Sequence, residues 1–425
     1  MKGCRVCLSG LPSDIHRPGS SSESGEKFVR PPGAAPSLEW LLGPISKKVF
    51  FEDYWEKKPL VVRRSKPNYF SSLLSLDEVD RVLTTLDRRY PDVTLKNANG
   101  KVSGDDYTAG GDSLDVAKVY QLFEAGSTIT LAYIDTVVPA LASLCRSLES
   151  EFSSPFQTNV YLTPAGAQGA KHHYDTHDVF VLQVVGAKKW IIYGTPVELP
   201  LRGQDFDSSV HARGAPTLEF KLEPGDTAYV PRGIVHDARS TDEVSLHITA
   251  GILGYTWTDL LLELVSDVCL SDPAFRKALP PGFAGNEFDR ALGRETLRKL
   301  LQKVSAQSNF DLILDRFIDE FISKSPPLLR GQIAQMAALD RVKIDSVVGA
   351  RGGVISHLRT SGESTSVDCY GRTITFPSHA SEAVRFALSK SEFVVRELPG
   401  DLDDSGKLAL VRRLIREGLA VARTI

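Results

Sequence analysis

The segment His172-His173-Tyr174-Asp175-Thr176-His177-Asp178 is followed, about sixty residues later, by Gly225-Asp-Thr-Ala-Tyr-Val-Pro231-Arg-Gly233-Ile-Val-His236. In an extended chain, residues i and i+2 point to the same face, so His173 and Asp175 can offer an imidazole nitrogen and a carboxylate oxygen to one ion. Such a His-x-Asp pair completed by one remote histidine, here His236, is the ligand set of a non-haem Fe(II) centre that keeps open coordination positions. His172 falls on the opposite strand face, whereas His177 shares the face of Asp175 and competes for the role. Nine histidines in 425 residues is an ordinary number, and an isolated histidine is usually a surface or hydrogen-bonded core residue. Clustering and ligand spacing, not the count, favour a metal site.

Turns must bring the remote histidine back. Glu223-Pro-Gly-Asp226 has Pro and Gly where a type II turn favours them, Pro231-Arg-Gly233 reads as a second reversal, and Thr227 to Val230 fits a short strand between them. The spacing of Gly225, Pro231, Gly233 and His236 resembles the second signature of cupin barrels. The first signature departs from the His-x-His and later Glu of ordinary cupins, which points to the Fe(II) oxygenase branch of that fold.

Upstream of this segment, the run Val179 to Val185, then Gly186-Ala187, then Lys188 to Tyr193 reads as a hairpin with Gly186 at the first position of a type II′ turn. Val185 would then oppose Lys188, and counting back in twos from Val185 reaches Asp175 and His173. On that parity Lys188 points into the barrel with the ligands and Lys189 points out. A buried ammonium is costly unless an anion meets it, and the alternative is a lysine snorkelling from the barrel mouth.

Four segments carry a family resemblance: Phe51-Glu-Asp-Tyr-Trp-Glu-Lys-Lys-Pro-Leu-Val-Val-Arg-Arg64, Asn159-Val-Tyr-Leu-Thr-Pro164, His173-Tyr-Asp175 with Asp178 to Gln183, and Val230 to His236. They resemble the ribosomal oxygenases, 2-oxoglutarate-dependent JmjC hydroxylases, over about 38–253 and more loosely beyond. The resemblance implies Fe(II) on His173, Asp175 and His236, and Lys188 on the distal carboxylate of the cosubstrate 2-oxoglutarate. It also implies a pocket lined by Asn159 and Tyr161, and by His247 and Thr249 on the last core strand; Asn159 and Tyr161 could equally be structural. Gly251 stands where some relatives carry a hydroxyl that helps hold the cosubstrate. The implied chemistry is oxidative decarboxylation of the 2-oxo acid coupled to hydroxylation of a C–H bond, on Arg or His of a ribosomal protein.

Composition agrees with an α+β chain of several domains: 42% of residues are hydrophobic and the net charge is −3. No apolar run approaches the roughly 18 residues needed to span a bilayer, the start lacks a signal-peptide apolar region, and five cysteines form no regular framework, so the expectation is a cytoplasmic protein. Cys4 and Cys7 form a Cys-x-x-Cys pair without the second pair that a zinc site needs. Residues 1–36 read as a Ser/Gly/Pro-rich flexible tail, and Ser37 as the N-cap of a first helix. The resemblance implies a JmjC catalytic domain over 37–253 with a double-stranded β-helix core (the cupin/JmjC jelly roll), and the strand and turn density at about 156–253 fits that core.

Helical stripes (Leu260, Leu261, Leu264, Val265; Leu297, Leu300, Leu301, Val304) place a helical module at 254–335, which the resemblance makes a homodimer interface. Residues 336–425 read as helix, strand, turn, strand, helix, strand, helix, with a hairpin around Tyr370-Gly-Arg372, and resemble a winged helix. Residues 401–425 hold five basic groups (Lys407, Arg412, Arg413, Arg416, Arg423) against four acidic ones, too balanced for a duplex reader. Protein docking is the expected role of that module, and nucleic acid is not an expected partner. Two other readings stay open: a metal-binding interaction protein without turnover, and a nucleic-acid binder working through the C-terminal module.

Overall fold

The structure is a computed structural model that describes residues 36–423 apart from Asn99 and Glu363. The Cys4/Cys7 pair and all of the expected tail except Pro36 lie outside the described residues. The chain divides into two compact units, one up to Glu151 plus Phe156–Leu253, the other Phe152–Pro155 plus Gly254 onward.

The first unit is built on ten strands: β1 (Leu60–Val62), β2 (Val93–Lys96), β3 (Thr128–Leu131), β4 (Phe156–Thr163), β5 (Asp178–Val185), β6 (Lys188–Ile192), β7 (Leu218–Leu222), β8 (Thr227–Val230), β9 (His236–Ser240) and β10 (Ser245–Ile252). They form an antiparallel seven-stranded sheet in the order β1-β8-β5-β10-β4-β3-β2 and a three-stranded sheet in the order β7-β6-β9. From β5 to β10 the chain crosses repeatedly between the two sheets, which is the double-stranded β-helix. Strand β5 is almost wholly buried because both its faces are covered, which explains its unbroken apolar sequence. Val179 and Val181 pack between the sheets with Trp190, Ile192 and Leu222. On the other face Phe180 lies 5.6 Å from the Phe50 ring and 5.3 Å from the Tyr229 ring.

Two local expectations are corrected. Strand β5 begins at Asp178 rather than running unbroken from His173, since the chain bends at Thr176–His177 and His173 instead bridges His236. Nor do β5 and β6 pair as a hairpin: Val185 lies opposite Leu246, while Lys188 lies opposite Leu222 and Ser240. Gly186-Ala187 is a corner at which the chain changes sheets. Gly186 has φ +58°, and a Cβ there would sit 2.0 Å from the Val244 carbonyl oxygen, so the corner requires glycine. Sequence periodicity finds the break between strands but is blind to which partner each strand takes.

The Glu223–Asp226 turn forms as its sequence demands, with the Asp226 N–H donating to the Glu223 carbonyl at 2.9 Å and Gly225 at φ +92°. Ser37 caps the first helix, Leu38–Leu42, by accepting from the Trp40 N–H.

The second unit opens with helices Trp257–Ser271, Arg290–Gln307 and Phe310–Lys324. Strands β11 (Val347–Ala350), β12 (Ser356–Ser361), β13 (Ser364–Cys369), β14 (Arg372–Pro377), β15 (Phe393–Val394) and β16 (Ala420–Ala422) follow, forming sheets β15-β11-β16 and β12-β13-β14. Tyr370 and Gly371 at φ +53° and +72° make the two-residue turn between β13 and β14, the double positive φ of a type I′ hairpin. Helices Ser381–Ser389 and Asp404–Arg416 complete the core through Val384, Ala387, Val411 and Leu414. The expected element order is therefore amended by β11 and β12 ahead of the hairpin and by a chain that ends its described part on β16 rather than a helix. Among the described residues, no helix is long and apolar enough to cross a membrane.

Candidate metal centre and cosubstrate pocket

His173 and His236 exchange backbone hydrogen bonds, 3.1 and 2.8 Å long, so the two segments bearing imidazoles lie side by side. Tyr174, the residue between His173 and Asp175, points away into a buried cluster with Tyr193 and Val235, and its hydroxyl donates to the Gln204 carbonyl at 2.8 Å. His173 and Asp175 are thereby turned to the common face, as local alternation requires even without a regular strand.

One ligand atom from each of His173, Asp175 and His236 falls within 4.8 Å of the others. The carboxylate oxygens of Asp175 lie 3.8 Å from Nε2 of His173 and 3.8 Å from Nε2 of His236. Each imidazole holds a carbonyl through Nδ1, His173 that of Lys171 at 2.8 Å and His236 that of Ile234 at 3.0 Å. A carbonyl can only accept, so the Nδ1 atoms carry the protons and the Nε2 lone pairs face the shared centre. Two neutral imidazole nitrogens and one carboxylate on one side of a point suit a divalent first-row ion of the Fe(II) type.

The electrostatics agree with that assignment of protons. Burial pushes the Asp175 carboxyl up, but His236, His173, His177 and Lys96 together hold it below the usual carboxylate range. Burial pushes His236 down, with Asp175 opposing, which keeps its imidazole neutral and able to ligate at neutral pH. His172 packs instead against Phe206, with ring centroids 5.8 Å apart. The His177 ring rests over Gly251, where a Cβ would lie 2.7 Å from its Cδ2; neither histidine joins the ligand cluster. At Gly251 the space that a side chain would need is thus filled by His177.

Beside the three ligands lies a cavity into which Lys188, Tyr161, His247 and Thr249 project. Lys188 is 4% exposed, and no carboxylate among the described residues pairs with it. Burial alone brings its ammonium down to about 7. His247 is held well below the ordinary histidine range by burial and by Lys188, and its ring stacks on Tyr161 at 4.9 Å. Burial also pushes the Tyr161 phenol up. Thr130 Oγ1, Trp190 Nε1 and His247 Nδ1, three buried polar atoms of residues lining the same cavity, have no hydrogen-bond partner. An unpaired buried cation and three orphaned polar atoms around one cavity fit a bound carboxylate, the group that one end of a 2-oxo diacid supplies.

Asn159 does not line this cavity; its side-chain oxygen accepts from the Tyr133 N–H at 3.3 Å, next to Thr249 in the β4–β10 register. Trp190 escaped sequence reasoning although it lies two residues beyond Lys188 and shares its face. Thr130 and Lys96 come from β3 and β2, short strands whose place beside β4 no local signal announced.

An antiparallel double-stranded β-helix carrying a His-x-Asp and a remote His beside a buried lysine is the arrangement of the JmjC class, and residues 135–260 match the JmjC domain family. "Ribosomal oxygenase 1" of Danio rerio is 32% identical over 351 residues, covering 77% of this chain and 62% of its own length. The "bifunctional lysine-specific demethylase and histidyl-hydroxylase NO66" of Culex quinquefasciatus is 31% identical over 318 residues, covering 69% and 48%. The chain thus carries a JmjC domain and is similar to ribosomal oxygenases over most of its length. It spans about half to three fifths of the length of these curated relatives. Among solved structures, the Escherichia coli ribosomal oxygenase YcfD in complex with cobalt and 2-oxoglutarate shares the fold, with TM-score 0.52, 18% identity and coverage of 89% of this chain and 99% of that one.

Proposed function

We propose that this chain is an Fe(II)- and 2-oxoglutarate-dependent oxygenase that hydroxylates an Arg or His side chain of a ribosomal protein. The observation that carries the reading is the convergence of His173, Asp175 and His236 beside the unpaired, buried Lys188. His173, Asp175 and His236 would hold the iron, and Lys188, Tyr161, His247 and Thr249 would cradle 2-oxoglutarate, with Asn159 backing Thr249 from outside the cavity. When bound, the iron and the 2-oxo acid supply the oxidative chemistry that activates dioxygen.

The chain's own residues do the rest. Lys188 neutralises the distal carboxylate and fixes the direction in which the acid lies. Trp190 and Thr130 can donate to that carboxylate from opposite strands, since each has a polar atom left free. Val179 and Val181 wall the cavity with apolar surface that keeps water out.

Purified full-length chain supplied with Fe(II), ascorbate, 2-oxoglutarate and ribosomal proteins is expected to form succinate in step with the gain of one oxygen on an Arg or His. Binding of metal and 2-oxoglutarate without protein-dependent succinate would overturn the enzyme reading in favour of a silent binding protein.

We read helices Trp257–Ser271 and Arg290–Gln307 as a homodimerisation module, because Trp257, Leu261, Leu297 and Leu301 are each more than half exposed. The variant carrying Leu261→Asp and Leu297→Asp is expected to weaken self-association by about 30-fold or more, read by light scattering across a dilution series. A parent chain that is monomeric at all concentrations would sink this reading. We read 336–425 as a winged-helix-like docking module, on the strength of the β13–β14 hairpin and the two helices packed with it. A cytoplasmic setting is supported by Cys145, Cys269 and Cys369, which stand as free thiols.

A further inference from the structure

The segment Phe51–Arg64 contributes no side chain to the cavity, yet one of its residues adopts a conformation that asks for a reason. Glu56 has φ +55°, in the left-handed region that a non-glycine residue enters only when its surroundings compel it. There its N–H donates to the Tyr229 hydroxyl at 2.9 Å and its carboxylate pairs with Arg232 at 2.7 Å. The Tyr229 hydroxyl donates onward to Asp178 Oδ1 at 2.7 Å, and Arg232 Nη1 donates to Asp178 Oδ2 at 3.0 Å. Glu56, Tyr229, Asp178 and Arg232 therefore close a ring. Asp178 and Tyr229 are each 1% exposed, so the ring is anchored in the core.

The ring lies where the two ligand-bearing segments meet. Asp178 follows Asp175 by three residues, and Arg232 precedes His236 by four. The segments are tied at the ligands by the His173–His236 backbone pair and again by the Gly233 N–H donating to the Asp175 carbonyl at 3.0 Å. The Asp178–Arg232 ion pair is the side-chain tie beyond that. A guanidinium held by one carboxylate can still pivot; gripped from a second side by Glu56, its plane is set.

We propose that Glu56 is a positioning residue for the metal centre: through Arg232 and Tyr229 it locks the turn before His236 against the segment after Asp175, and so sets the spacing of the ligands. The proposal rests on the reading of His173, Asp175 and His236 as a metal site. It gives the Phe51–Arg64 motif, more than a hundred residues upstream of the ligands, a task at the centre.

The test uses full-length chain with Co(II) as the probe, titrated by its visible absorbance, for Glu56→Gln, Tyr229→Phe and the control Glu52→Gln, whose carboxylate is exposed and pairs with Lys48. Both ring variants are expected to raise the Co(II) dissociation constant about 10-fold and to shift the absorption bands, the scale of effect seen when the support of a ligand is lost. The control leaves both unchanged, and the metal-free unfolding midpoint of Glu56→Gln stays within a few degrees of the parent because Glu56 is partly exposed. Parent-like affinity and spectrum in Glu56→Gln would overturn the proposal while leaving the metal reading intact. Failure of the parent itself to bind Co(II) would overturn the metal reading and the proposal with it.

Discussion

Asp175→Ala is expected to abolish 2-oxoglutarate turnover and to cut Co(II) affinity on the order of 100-fold, with an unchanged circular dichroism spectrum. Four-ligand structural zinc sites bind with roughly 10–16 kcal/mol, so one ligand is worth roughly 3 kcal/mol, which is about two decades in affinity. The carboxylate is also the only anion in the cluster, and without it an ion would face two neutral imidazoles. Stability should change little, because the Asp175 side chain is 29% exposed and its backbone ties to Gly233 do not involve the carboxylate. The depressed carboxyl has one further consequence, whose sign follows from proton linkage. Its stabilising contribution is present above the unfolded carboxyl range and is lost as pH falls through the lower folded value. The parent should therefore lose slightly more stability in acid than the variant. His173→Ala is expected to behave like Asp175→Ala in turnover. Succinate formation at the parental rate in either variant would remove that residue from the centre.

Lys188→Ala is expected to raise the 2-oxoglutarate concentration needed for half-maximal turnover by about 30-fold or more, and Lys189→Ala to leave it within about two-fold. Truncating one partner of a buried, hydrogen-bonded charge pair costs about 2–5 kcal/mol, whereas a solvated lysine contributes almost nothing. The neighbours make the comparison sharp, since Lys188 is buried and Lys189 is exposed on the same strand. Proton linkage again supplies a second readout. With burial bringing its ammonium down to about 7, Lys188 is largely neutral at pH 8 without the cosubstrate, while the unfolded chain keeps this lysine charged to about 10.4. The unfolded state thus binds the extra proton between these values, so stability of the cosubstrate-free protein rises with pH across that window and declines toward pH 7. A bound carboxylate favours the charged form, so 2-oxoglutarate binding should take up a proton at pH 8 and weaken as pH rises above 7. Calorimetry in buffers of different ionisation enthalpy reads that proton directly. Equal effects of the two alanine variants, or binding without proton uptake, would show that Lys188 does not meet the carboxylate.

Lys188 reaches the barrel interior through connections that differ from those its sequence suggests. The expectation joined His173 to Lys188 through one long strand and a hairpin, and both connections are different in the folded chain. The lysine still faces the ligands, because β5 and β6 turn their inner faces toward one interior from opposite sheets. Two errors in topology left the inside-outside alternation intact, since that alternation is set strand by strand through burial.

What the chain alone determined is local in origin. The i, i+2 spacing aims His173 and Asp175 together, Pro and Gly fold the Glu223–Asp226 turn, and Lys188 differs from Lys189 by one step of the pleat. Only the tertiary structure decided that Thr130 would share a cavity with Lys188, that His177 would fill the space over Gly251, and that Glu56 would close a ring with Asp178 and Arg232. Those pairings join residues tens to hundreds of positions apart, through strand order and sheet crossings. No backbone preference or hydrophobic period encodes strand order, because it is chosen by the packing of the whole barrel.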